Sequence, residues 1–171
     1  MTQTISRTSQ YLTMEEYLAH DDGTDKRYEL VDGELVEMSV EDLVNVEIAT
    51  FLLFEFAKYV PRRMLAIANL EIEVGGKRAK TRIPDLAIHS QDSRAALNGQ
   101  KRAILLRDMP PPALVVEVVS PGKENRDRYY RFKHTEYAAR GISEYWIIDP
   151  EAQKITVCLW VNGRYEDTVY S

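Results

Sequence analysis

Two carboxylates stand in runs that should have none. Glu117 lies at the centre of ALVVEVVS, residues 113–120, an aliphatic and β-branched run that follows Pro110, Pro111 and Pro112. A short run of that kind reads as a strand covered on both faces. Asp85 interrupts a second apolar run, TRIPDLAIH, directly after Pro84. Proline lacks a ladder donor and so marks a bulge, an edge or a strand start, irregularities that re-aim a side chain. Desolvation disfavours a charged carboxylate, which is therefore neutralised, paired with a cation or bound to a metal. Two carboxylates close together raise each other's pKa unless a divalent cation neutralises them, and oxygen-only ligands select the hard ions Mg2+ or Mn2+ over Zn2+.

Lys133 is the third element. It belongs to a basic helical stretch, with Tyr130, Glu136 and Tyr137 at turn spacing on its side. A lysine there can reach over the sheet towards the acids. It would stabilise charge on a reacting phosphate or orient water that a metal has acidified. That set of groups suits phosphodiester hydrolysis. Each residue also has a plainer reading: Glu117 in a buried ion pair with Lys133 or Arg131, and Asp85 as an Asx-type cap beside proline. Two core acids together with a basic helix, taken with the family likeness described below, favour the metal site.

These residues need a scaffold, and the chain encodes one. Thr13 and Glu16 form a capping-box start for a helix from Met14. In YELVDGELVEM, Asp32-Gly33 separates two alternating runs, which predicts a hairpin. A two-residue turn puts Glu29 and Glu34 on one face, where either could join the site as a further carboxylate. Residues 41–59 carry an apolar stripe and read as one long helix ended before Pro61. LAIANLEIEV and TRIPDLAIH read as strands joined through Gly75-Gly76, and residues 91–109 as loop. A helix from about Glu124 to Arg140, stopped by Gly141, precedes the strand SEYWIID and a terminal meander, KITVCLWV and RYEDTVY. The order predicts a mixed α/β domain with a central sheet flanked by helices, a single domain over residues 1–171 with a loose N-terminus of about ten residues.

Composition limits the alternatives. With 171 residues, 44% hydrophobic and 29% charged, the chain fits one globular domain with a full core. No apolar run suits a membrane span and the polar, acidic start does not suit a secretory signal, so a cytoplasmic protein is expected. The single cysteine, Cys158, reads as core; His20, His89 and His134 are scattered and suggest no role. A net charge of -5 weighs mildly against a polyanion partner. The charge is uneven, however: residues 1–60 carry 13 acids and 4 bases, and residues 123–140 carry six bases and three acids. The basic helix, with Arg126, Arg128 and Arg131, and the GGKRAKTR segment, with Lys77, Arg78, Lys80 and Arg82, are the expected phosphate contacts.

From about Tyr11 to Tyr165 the chain resembles the Uma2 (DUF820) family, of the kind abundant in cyanobacteria, which is placed in the PD-(D/E)xK superfamily of restriction-endonuclease-like folds. YELVDGELVEMS, RIPDLAI, PPALVVEVVSP, NRDRYYRFKHTEYAARGISEYWIIDP and KITVCLW carry the likeness. The resemblance implies that Asp85 and Glu117 are the motif acids and metal ligands. The usual motif lysine, two residues after the glutamate, is Val119 here; the resemblance implies that Lys133, four residues before Tyr137, has taken its place. Many relatives have a histidine near the start of the long helix, and EDLVNVEI has none. Some superfamily members use an acid on that helix, which makes Glu47 a further candidate ligand. The implied activity is a Mg2+- or Mn2+-dependent DNA endonuclease, and the paired sites usual in restriction-type cleavage imply a homodimer with the apolar C-terminal strands as interface. The alternatives are a nuclease-fold module, weakly active or inactive, that binds protein or nucleic acid, and a phosphohydrolase for small phosphate esters.

Overall fold

Glu117 occupies the middle of the molecule's most buried strand. The computed structural model describes residues 11–171; the expected loose N-terminus lies outside them. Strand β8 (Leu114–Val118) is buried at all five positions and is an inner strand of a six-stranded sheet. Around it lie β3 (Leu65–Ile67), β6 (Leu86–Ile88), β9 (Glu144–Asp149), β10 (Lys154–Val161) and β11 (Arg164–Tyr170), in the order β11-β10-β9-β8-β6-β3. Within this sheet β8 and β9 are the one parallel pair, and the helical segment between them makes the crossover that parallel pairing needs.

Both faces of the sheet are covered at β8, which accounts for its continuous apolar run. Helix α2 (Leu43–Phe56), capped by the Asp42 carboxylate on the Val44 amide at 3.0 Å, lays Ile48, Leu52, Leu53 and Phe56 on Leu86, Leu114, Val116 and Val118. Leu43 and Val46, which belong to the apolar stripe read over residues 41–59, are exposed. The opposite face carries Ala87, Val115, Val119, Tyr145 and Ile147 beneath the basic helical segment. That segment runs from α4 (Lys123–Asp127) through a wider π turn (Arg128–Lys133) into α5 (His134–Arg140), and Gly141 closes it at φ 79°. Leucine, valine and tyrosine side chains thus fill two cores, one on each side of the strand that bears the acid.

Two expected strands are each divided between sheets. LAIANLEIEV breaks at Ala68, which has φ 47°, into β3 and β4 (Glu71–Val74), and TRIPDLAIH breaks at Pro84 into β5 (Lys80–Arg82) and β6. Strands β3 and β6 pair in the main sheet, whereas β4 and β5 pair in a separate three-stranded sheet with β7 (Ile104–Leu105). The expected loop 91–109 therefore holds β7 and also α3 (Gln91–Ala96). Helix α1 (Met14–Ala19) has the capping box, and β1 (Tyr28–Val31) and β2 (Glu34–Glu37) form the hairpin with Asp32 and Gly33 both at positive φ.

Candidate active site

Pro84 ends one ladder and Asp85 begins the next. Leu86 pairs with Val116 and Ala87 with Val115, so the antiparallel register sets Asp85 opposite Glu117. Alternation then turns both side chains towards the face of Val115 and Val119, under the basic helical segment. Asp85 Oδ2 accepts the Val118 amide at 2.7 Å, which satisfies a β8 donor where the β6 ladder stops. Glu117 Oε1 accepts from Lys133 Nζ at 2.8 Å and from the Tyr137 hydroxyl at 2.7 Å. Lys133 and Tyr137 are one helical turn apart, so a single face brings both to one oxygen. The other oxygens, Asp85 Oδ1 and Glu117 Oε2, have no hydrogen-bond partner among the described residues.

The acids and the lysine share a cavity of about 260 Å³, to which Glu29, Glu41, Ser120, Asn125, Arg128 and Tyr129 also contribute. The π turn places Tyr129 beneath the lysine, with Nζ 4.5 Å from the ring centre. Such turns recur at functional sites because they change which side chains a helix directs inward. Burial first, and then the charge of Glu117, pushes Asp85 up to about 7, while the Val118 amide and Lys133 act the other way. Burial raises Glu117 as well, against the pull of Lys133. Burial opposes the charge on Lys133, but Glu117 and then Glu29 outweigh it, and the ammonium is held above its ordinary range. Tyr137 is raised far above the usual phenol by burial and by Glu117, which keeps it a donor.

A second network supports the wall. Glu29 Oε1 accepts the Ile83 amide at 3.0 Å, and its other oxygen meets Arg82 at 3.3 Å. Arg82 forks onto Glu136 at 2.7 and 3.1 Å, and Lys80 reaches the same carboxylate at 2.9 Å and Asp32 at 3.3 Å. Lys80 and Arg82 are therefore buried ion-pair partners, which corrects the expectation that they present positive charge to phosphates. Lys77 and Arg78 are exposed but do not line the cavity, and the Arg78 guanidinium lies 3.7 Å from the Tyr11 ring centre. Arg126 is shared between Asp149 and Glu151 at 3.3 Å each, and Arg131 is exposed near Asp127. Arg128 is the expected DNA-binding arginine that lines the cavity.

Among the further carboxylates, Glu29 lines the cavity, whereas Glu34 and Glu47 are exposed outside it. Glu41, just before α2, lines it instead. Tyr137 was visible in the sequence at turn spacing from Lys133 but had no place assigned in the site; Glu41 and the Arg82–Glu136 pair left no signal, since chain folding alone brings them in.

The six-stranded mixed sheet flanked by helices that carries these residues is a nuclease-like fold. A crystal structure titled as that of a "putative nuclease belonging to DUF820" from Anabaena variabilis shares it, with a TM-score of 0.65 at 18% identity over 93% of this chain and 84% of that one. The Uma2 family, described as "Putative restriction endonuclease", matches residues 14–171, and the chain belongs to it. No curated protein matches. Among the described residues, no helix is long and apolar enough to cross a membrane.

Proposed function

We propose that the protein is a Mg2+- or Mn2+-dependent endonuclease that hydrolyses DNA phosphodiester bonds at the Asp85–Glu117–Lys133 cavity. One observation supports this above the rest: each carboxylate commits one oxygen to protein donors and leaves the other without a hydrogen-bond partner among the described residues, in one shared cavity. Two oxygen donors of this kind fit a small hard cation, which relieves the mutual charge that raises Asp85. A bound divalent ion supplies Lewis-acid assistance and acidifies water. Asp85 and Glu117 would hold it, with Glu29 and Glu41 the further carboxylates on the wall. Lys133 places fixed positive charge where a phosphate would gain negative charge, and it does so without reorganising, because Glu117 and Tyr129 already hold it. Arg128, exposed at the mouth, would contact the DNA backbone.

A homodimer in the cytoplasm completes this reading. Its support is exposed apolar surface, both at the C-terminal strands (Trp160, Val169, Tyr170) and on α2 (Leu43, Phe51, Phe54). The competing reading is an inactive module that binds protein or nucleic acid, and the Lys133–Glu117 pair favours it to one extent: the buried acid is already compensated without any ion.

Supercoiled plasmid incubated with Mn2+ separates the two. The wild type should nick and linearise it, EDTA should stop the reaction, and Asp85→Ala and Lys133→Met should be inert. Cleavage that survives Asp85→Ala, or none with any divalent ion, would refute the proposal.

A further inference from the structure

A second group of metal-ligating side chains joins the start of α5 to the terminal hairpin and shares no residue with the cavity described above. Cys158 on β10 and Asp167 on β11 are directly paired across the ladder, so both project from the same face of that hairpin. His134, the first residue of α5, descends onto them, its ring set edge-on against Tyr165 with centroids 5.2 Å apart. Its Nε2 lies 3.0 Å from both Asp167 oxygens, and the imidazole, thiol and carboxylate donor atoms all fall within 4.8 Å of one another. It is the one such His, Cys, Asp or Glu trio among the described residues.

We propose that His134, Cys158 and Asp167 form a binding site for a borderline divalent ion of the Zn2+ class, separate from the Asp85–Glu117 cavity. Thiolate, imidazole and carboxylate are the donors such an ion takes, whereas Mg2+ and Mn2+ avoid sulfur. Around a tetrahedral ion with bonds of about 2.0–2.3 Å, ligand atoms stand roughly 3.3–3.6 Å apart, so the trio needs only a small adjustment. Cys158 is fully buried, which fixes its sulfur, while Asp167 is exposed enough to leave the mouth open for exchange and for a water as fourth ligand. No lysine or arginine pairs with Asp167 among the described residues, and the side chain closest to its carboxylate is the His134 ring. Burial holds the Cys158 thiol protonated, so binding must release that proton to solvent. The ion would fasten α5 to the terminal hairpin one residue beyond Lys133, a structural clamp on the helix that carries the site lysine.

Cobalt substitution tests this directly, because Cys158 is the only cysteine in the chain. Titration of metal-free protein with Co2+ should produce a thiolate-to-cobalt charge-transfer band in the near ultraviolet that saturates at one equivalent and disappears on addition of Zn2+. Cys158→Ser should abolish the band. Asp167→Asn, isosteric and at an exposed position, should keep the fold and weaken Co2+ by more than the roughly 10–100-fold that loss of an outer hydrogen-bond partner costs. Asp85→Ala should leave the band intact, which separates this site from the proposed nuclease centre whether or not that centre is active. Absence of the band in folded wild type, or an unchanged titration in Asp167→Asn, would overturn the proposal.

Discussion

Asp85 and Glu117 face each other across the β6–β8 ladder, and the aspartate holds the amide of Val118, the residue next to its partner. Their nearness costs stability in the absence of a cation, since burial and the Glu117 charge both raise Asp85. Asp85→Asn keeps the acceptor for Val118 and removes one like charge. The variant should melt at or above the wild-type temperature in EDTA, yet lose the calorimetric Mg2+ or Mn2+ binding heat and the cleavage activity. A variant that melts lower but still binds metal would contradict this account.

The same pair sets a pH dependence. An acid whose folded-state pKa stands near 7 binds its proton more tightly in the folded than in the unfolded chain. Its contribution to stability is complete below the ordinary aspartate range, at about 4, and is lost as pH rises through about 7. Metal competes with that proton, so apparent Mn2+ affinity should fall about tenfold per pH unit below 7 and level off above it. Calorimetric titrations at pH 5, 6, 7 and 8 check the slope, and Asp85→Asn should flatten whatever remains.

Lys133 and Glu117 make a buried ion pair, which is weak as a source of stability but costly to break by halves. Lys133→Met leaves an uncompensated carboxylate and should destabilise the fold by about 3–5 kcal/mol in chemical denaturation. Lys133→Met combined with Glu117→Gln should recover most of that loss without recovering activity. Tyr137→Phe, which removes the second donor to the same oxygen, should cost about 1.5–3 kcal/mol and raise the pKa of Glu117 further.

Glu136 is the hub of a network that the sequence did not disclose. It accepts from both Lys80 and Arg82, all three are buried, and Arg82 passes the restraint on to Glu29 at the cavity wall. Glu136→Ala should cost about 3–5 kcal/mol, because two cations lose their partner in the interior. Glu136→Gln should cost less and show intermediate activity, if Glu29 acts through its position. Urea denaturation of both variants, set beside their cleavage rates, measures the two effects separately.

What the sequence revealed and what it hid divide along physical lines. Glu117 and Asp85 were legible because a carboxylate in a β-branched run is an electrostatic anomaly detectable without coordinates. The hairpin at Asp32-Gly33, the capping box of α1 and the stop at Gly141 were legible because each rests on local backbone chemistry. The divided strands were not: LAIANLEIEV and TRIPDLAIH have continuous apolar character, and only the turn at Ala68 and the ladder break at Pro84 send their halves to different sheets. Lys80 was misjudged for a related reason: its partners come from the β1–β2 turn and α5, distant in the chain, so its burial left no trace in spacing.

The positive charge at the cavity mouth yields a final, quantitative expectation. Arg128 is exposed and lines the cavity, whereas Lys80 is buried and committed to Glu136 and Asp32. Neutralising a residue that contacts phosphate reduces the dependence of log affinity on log salt by about one, the share of a single released counterion. Arg128→Ala should therefore lower the slope by about that amount in DNA-binding titrations between low and moderate salt, using a Ca2+ buffer to prevent turnover. Lys80→Ala should leave the slope alone and instead lower the melting temperature, because it removes an internal partner of Glu136. Equal changes in slope for the two variants would mean that Lys80 reaches the DNA and that its burial does not describe the bound protein.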